Sequence, residues 1–127
     1  MSNLAISSTI RKQRPRGPFA EIMEDILGSN YELSLTFIGE TRARTLNQQL
    51  RGKDYTPNVL SFPLSKHMGE IYICPGVAEI EASKFAMTPS RYIIFLFIHG
   101  CLHLKGHDHG ATMDSLESKY IKKYRLA

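Results

Sequence analysis

The 127-residue chain contains no tryptophan and only two cysteines, Cys74 and Cys101. Two thiols outside any CxxC pair cannot build a disulfide scaffold and fit a reducing compartment. A cytoplasmic location is therefore expected. Long apolar runs are also missing. The longest, from Tyr92 to Ile98, spans seven residues, where a membrane helix needs about 18. The first residues lack the apolar stretch and small-residue cleavage site of a signal peptide, so no membrane partner is expected. Repeats and low-complexity blocks are absent. The length leaves no room for a two-domain enzyme. A composition 43% hydrophobic and 22% charged excludes a wholly disordered chain. Residues 1–127 thus read as a single domain, with the segment 1–17 as a partly mobile N-terminal piece.

Acidic residues are missing from both ends. Residues 1–20 carry Arg11, Lys12, Arg14 and Arg16 and no acid; residues 119–127 carry Lys119, Lys122, Lys123 and Arg125 and no acid. The formal net charge of +4 therefore describes an acidic body with two basic ends. That pattern suits a polyanionic partner, or simply two solvated termini.

Hydrophobic periodicity supplies the elements. Residues 1–17 read as a short apolar piece (Leu4, Ile6) followed by a basic segment. Phe19, Ile22, Met23 and Ile26 recur at helical spacing within 18–28. The stretch from Tyr31 to Ile38 alternates apolar and polar residues, as a half-buried strand does. A helix is expected over 41–50, with Ala43, Leu46 and Leu50 inward. A second strand, Asn58 to Phe62, is expected to stop at Pro63, and a third runs from Gly69 to Cys74. The short loop through His67 joins them as a hairpin. Helices follow over 76–87, over 90–105 (apolar on all sides in its first half, so central) and over 112–124. The class is α+β, with a small mixed sheet of about four strands and about five helices.

Four of the five histidines fall in eleven residues, His99-Gly-Cys-Leu-His103-Leu-Lys-Gly-His107-Asp-His109. On a helix, His99 and His103 emerge on one face, one turn apart. Gly106 ends that helix, and His109 can return to the same point. Three neutral imidazoles leave one tetrahedral position open for water, the pattern of a catalytic zinc site rather than a closed structural one. His107 is an alternative third ligand, although the chain has one residue after Gly106 in which to turn. Asp108 is either a carboxylate holding a ligand histidine or a turn residue. Cys101 points away from His99 and reads as a buried small side chain. One residue is conspicuously absent: HExxH proteases place a glutamate directly after the first histidine as general base, and here that position is Gly100.

The run from His99 to His109 resembles the H-G-x-L-H-L-x-G-Y-D-H pattern of the YbeY family of zinc-dependent endoribonucleases. Two further blocks are similar to that family in the same order: Leu46-Asn47 through Leu50-Arg51-Gly52-Lys53-Asp54 to Asn58-Val59-Leu60-Ser61-Phe62-Pro63, and Gly69 to Pro75. The resemblance covers roughly residues 31–124. It implies a zincin-like α+β fold and one Zn2+ per chain held by His99, His103 and His109. It also implies a functional arginine at Arg51, a basic groove lined in part by Ser61, and a single-stranded RNA substrate. The expected target is ribosomal RNA of the small subunit, in 3′-end maturation and ribosome quality control, with no DNA partner. Two departures stand out: the family tyrosine before Asp108 is His107, and the acidic segment after the third histidine is nearly absent. The chain is also short for the family.

On that resemblance, Arg51 and His103 are the catalytic residues and Arg51 and Ser61 contact substrate; Lys53 is a further expected phosphate contact by its charge. Arg42 and Arg44 are candidates for a wider phosphate patch, and Tyr55 and Tyr72 for base stacking. The base remains open among a metal-bound hydroxide, Asp108, His107 and an RNA group. Two other readings compete. One is a metal-dependent peptidase or other hydrolase, against which Gly100 argues. The other is a ribosome-associated RNA-binding factor whose metal is structural.

Overall fold

The computed structural model describes residues 3–127. Met1 and Ser2, which open the N-terminal segment of residues 1–17, lie outside the described residues. The elements are β1 (Leu4–Ser8), α1 (Phe19–Leu27), β2 (Glu32–Phe37), α2 (Glu40–Arg51), β3 (Val59–Ser65), β4 (Met68–Ile73), α3 (Pro75–Glu81), a 3-10 turn (Ala82–Phe85), α4 (Pro89–Lys105) and α5 (Ala111–Lys123). The sheet order is β1-β2-β4-β3. β1 and β4 flank β2 in parallel, and β3 pairs antiparallel to β4 through the expected hairpin. The α+β class, the mixed four-stranded sheet and the five helices agree with the sequence reading.

Period-two alternation builds the main core. Leu33, Leu35 and Phe37 of β2 and Ile71 and Ile73 of β4 are buried against Phe19, Ile22, Met23 and Ile26 of α1 and the apolar length of α4. The four α1 side chains are nearly inaccessible, and each contributes about 1.5–3 kcal/mol through burial. α4 is central because it is apolar on all sides: nine of its residues, including Phe97, Ile98, Cys101 and Leu102, are buried. Among the described residues, no single helix is long and apolar enough to cross a membrane. A smaller cluster on α2 joins Ala43 and Leu46 to Ile38, Cys74, Tyr72 and Val77.

Four local expectations are corrected. Residues 4–8 form a strand, which the short apolar piece did not disclose. β3 continues through Pro63 to Ser65, with an irregularity between Pro63 and Ser65; β3 is the sheet edge, where a missing N–H costs no ladder bond. Leu50 is 58% exposed rather than inward, and the buried residue on that side of α2 is Asn47. The helix expected over 76–87 is α3 followed by the 3-10 turn.

Candidate metal centre

The histidines sit where α4 stops. Thr88 caps the helix start, its side chain accepting from the Arg91 amide at 3.3 Å, and Pro89 occupies the first turn. At the other end Gly106 adopts φ 108°, a conformation that favours glycine. Its N–H donates to the His103 carbonyl at 2.9 Å, and the His107 N–H donates to the Leu102 carbonyl at 3.0 Å. These two bonds make a Schellman closure, which turns the chain back over the last helical turn. His109 thereby reaches the two histidines of α4.

The ring centroids of His99, His103 and His109 are 4.6, 5.4 and 5.3 Å apart. One nitrogen from each lies within 4.8 Å of the others. His99 Nε2 and His103 Nε2 are 3.1 Å apart, close to the ~3.3 Å between two nitrogens on one tetrahedral zinc. The donor set is three imidazoles and suits such an ion. Burial lowers the His103 pKa, with His99 and His109 adding to the effect, so the neutral, ligating form is favoured.

Glu117 completes this centre and has no counterpart in the sequence reading. Its Oε2 lies 2.9 Å from His99 Nδ1, and the two side chains are only 13% and 19% exposed. An ionised carboxylate is a pure acceptor, so it favours the tautomer with the proton on Nδ1 and the lone pair on Nε2, toward His103. Asp108, by contrast, is 4.0 Å from His103 Nδ1 and 99% exposed, too far for a hydrogen bond. His107 is half-buried and uses its backbone N–H in the helix cap; the three-histidine group contains His109 instead.

The three histidines open onto a cleft of about 650 Å3 that Arg51, Tyr55, Asn58, Val59, Leu60, Ser61 and Pro63 also line. Arg51 is the last residue of α2. Its Nη1 donates to Asn47 Oδ1 and to Tyr55 Oη, each at 3.2 Å. The fully buried Asn47 donates its Nδ2 to the Tyr55 carbonyl at 3.0 Å, folding the loop after α2 against the helix. Ser61 Oγ donates to the Gly100 carbonyl at 3.4 Å. Gly100 itself faces the sheet, where a Cβ would come within 2.9 Å of Ser61 Oγ and 3.0 Å of Ile71 Cδ1. A side chain at the position that carries the base of HExxH proteases would therefore have to displace Ser61 and Ile71.

Several expected cations lie elsewhere. Among the described residues lining the cleft, Arg51 is the only lysine or arginine, so the implied basic groove is one guanidinium. Lys53 is exposed and does not line the cleft. Arg44 pairs with Asp54 at 2.7 Å, and with Gln48 it holds that carboxyl below its ordinary value. The N-terminal cluster follows β1, at the opposite edge of the sheet from β3, where Arg14 bonds the Ile6 carbonyl at 3.2 Å. In the C-terminal cluster, Lys123 pairs with Asp25 of α1. Neither end borders the cleft, so net charge is not the argument for RNA here.

The family profile described as Endoribonuclease YbeY matches residues 6–125. The chain belongs to that family. It is 35% identical to the Endoribonuclease YbeY of Burkholderia lata over 93% of this chain and 76% of that protein. It is 38% identical to that of Thermotoga neapolitana, over 82% and 70%. The solution structure of TM1509 from Thermotoga maritima superposes with a TM-score of 0.65 at 29% identity, covering 95% of this chain and 88% of that one.

Proposed function

We propose that this YbeY-family protein is a zinc-dependent endoribonuclease specific for single-stranded RNA. Its proposed role is in small-subunit ribosomal RNA 3′-end maturation and ribosome quality control in the cytoplasm, as one domain holding one zinc. The observation that carries the reading is that the three-histidine cluster and Arg51 line the same cleft. His99, His103 and His109 would hold the ion, which when bound supplies Lewis acidity toward a phosphoryl oxygen.

The chain's own residues do the rest. The planar guanidinium of Arg51, fixed by Asn47 and Tyr55, offers its Nε and Nη2 donors to a phosphate and to charge developing on it. Ser61 presents a hydroxyl to the strand along the β3 wall of the cleft, and Lys53 takes a phosphate beyond the rim. Glu117 keeps His99 in its ligating tautomer. With glycine at position 100, peptidase chemistry of the HExxH type has no base here.

The test is cleavage of a single-stranded RNA by protein purified free of contaminating nuclease. Arg51→Ala and His103→Ala are each expected to lose at least 100-fold in rate, His103→Ala together with its zinc. Parent-like cutting by both variants removes the nuclease assignment from this cleft. Stoichiometric zinc with no cleavage in the parent supports the RNA-binding factor instead.

A further inference from the structure

The cleft holds an aromatic side chain whose hydroxyl helps to fix Arg51 but whose ring the proposed chemistry leaves without a role. Tyr55 is 50% exposed and lines the same cleft as Arg51 and the three histidines. It is held in place: its hydroxyl accepts from Arg51 Nη1 at 3.2 Å, and its carbonyl accepts from Asn47 Nδ2 at 3.0 Å. Asn47 is fully buried and binds Arg51 as well, so one amide anchors both the cation and the backbone that carries the ring.

No other aromatic ring and no ammonium group packs on this ring among the described residues. Among the described residues, Tyr72 packs on Phe62, Tyr92 stacks between Phe85 and Phe95, and Tyr120 and Tyr124 lie under lysine ammonium groups. Tyr31 is buried. Tyr55 makes no comparable ring contact. A rigid, half-exposed aromatic face beside a phosphate clamp is what a stacked base requires. Because Arg51 touches the Tyr55 hydroxyl, a phosphate on the guanidinium and a base on the ring belong to the same or adjoining nucleotides.

Resting on the endoribonuclease reading above, we propose that Tyr55 is the stacking platform for an unpaired base next to the phosphate clamped by Arg51. It is thereby a source of the enzyme's preference for single strands. A base inside a duplex already has neighbours on both faces and reaches the ring only by leaving the stack. An unpaired base gives up far less.

The absence of tryptophan makes the test direct, because Tyr55→Trp introduces the sole indole of the chain. Zinc-loaded, full-length Tyr55→Trp is mixed in a stopped-flow fluorimeter with three RNAs: a single strand, the same strand with abasic sites, and its duplex. Binding is read ahead of cleavage. The expected result is quenching by the single strand and little by the other two. Tyr55→Ala is expected to weaken single-strand binding by ~5- to 150-fold, the loss of one base–aromatic stack. Its zinc content and duplex binding stay as in the parent, and Tyr55→Phe restores the discrimination. Equal quenching by the abasic strand, or an unchanged single-strand-to-duplex ratio in Tyr55→Ala, overturns the platform. If that happens while Arg51-dependent cleavage persists, the nuclease reading stands; if the parent neither binds nor cuts RNA, both fall.

Discussion

Glu117 offers the sharpest quantitative test of how the centre is held. Its carboxylate sits 2.9 Å from His99 Nδ1, with both side chains largely shielded from water. Replacing it with alanine leaves a shielded N–H without its acceptor and frees the imidazole to rotate or change tautomer. Replacing it with glutamine keeps an acceptor of similar size and removes the charge. Partners of this kind are typically worth 10- to 100-fold in metal affinity, or about 1.4–2.7 kcal/mol at 1.36 kcal/mol per tenfold. Glu117→Gln is expected near the lower end and Glu117→Ala near the upper. Competition with a chromophoric zinc chelator measures the change. Long-range 1H–15N spectra of the His99 ring report the tautomer separately. A Glu117→Ala variant that stays folded and binds zinc as tightly as the parent would refute the argument.

Other consequences are as specific. His109→Ala is expected to lose zinc by at least 100-fold while His107→Ala keeps it; equal loss in both, read by metal content, removes His109 as third ligand. Gly100→Glu forces a carboxylate toward Ser61 and Ile71 and should destabilise by ~3 kcal/mol or more through overpacking and a buried charge; unchanged thermal unfolding would show that α4 and the sheet have slack there. Arg51→Lys keeps the charge but loses the planar fork and both anchoring bonds, so cleavage should fall at least tenfold with zinc unchanged. The Asp25 carboxyl is held below its ordinary value chiefly by the bond from Lys123, with Tyr124 adding a second at 2.8 Å. Its contribution is therefore complete above the unfolded value near 3.8 and lost as pH falls through the folded value. Asp25→Asn should lower stability at pH 7 by ~1 kcal/mol and flatten the acid limb of the unfolding curve.

Legibility in the sequence followed the range of the interactions. The histidine cluster is local: the spacing of His99 and His103 and the glycine at 106 describe one helix end and its reversal, and periodicity alone places α1, α4 and β2. Long-range features stayed hidden. β1 is five residues long with alternate side chains exposed, and it is a strand because β2 offers it a parallel partner. Glu117 lies 18 residues from His99 among other charged residues of α5, and only the packing of α5 on α4 reveals its partner. Asn47 looks like any polar helix residue until the loop that carries Tyr55 folds over it. The basic ends misled in the opposite way, since charge is visible in sequence while its distance from the cleft is not.

The central claim is that three histidines assemble one metal centre and that this centre cuts RNA. Titrating zinc into metal-stripped protein while following cleavage of a single-stranded RNA addresses both parts at once. The rate should climb linearly and break at one equivalent per chain, with no rise over the same range in His109→Ala. Metal-stripped protein that cuts as fast as the loaded form, or a His109→Ala curve that overlays the parent, would contradict the account.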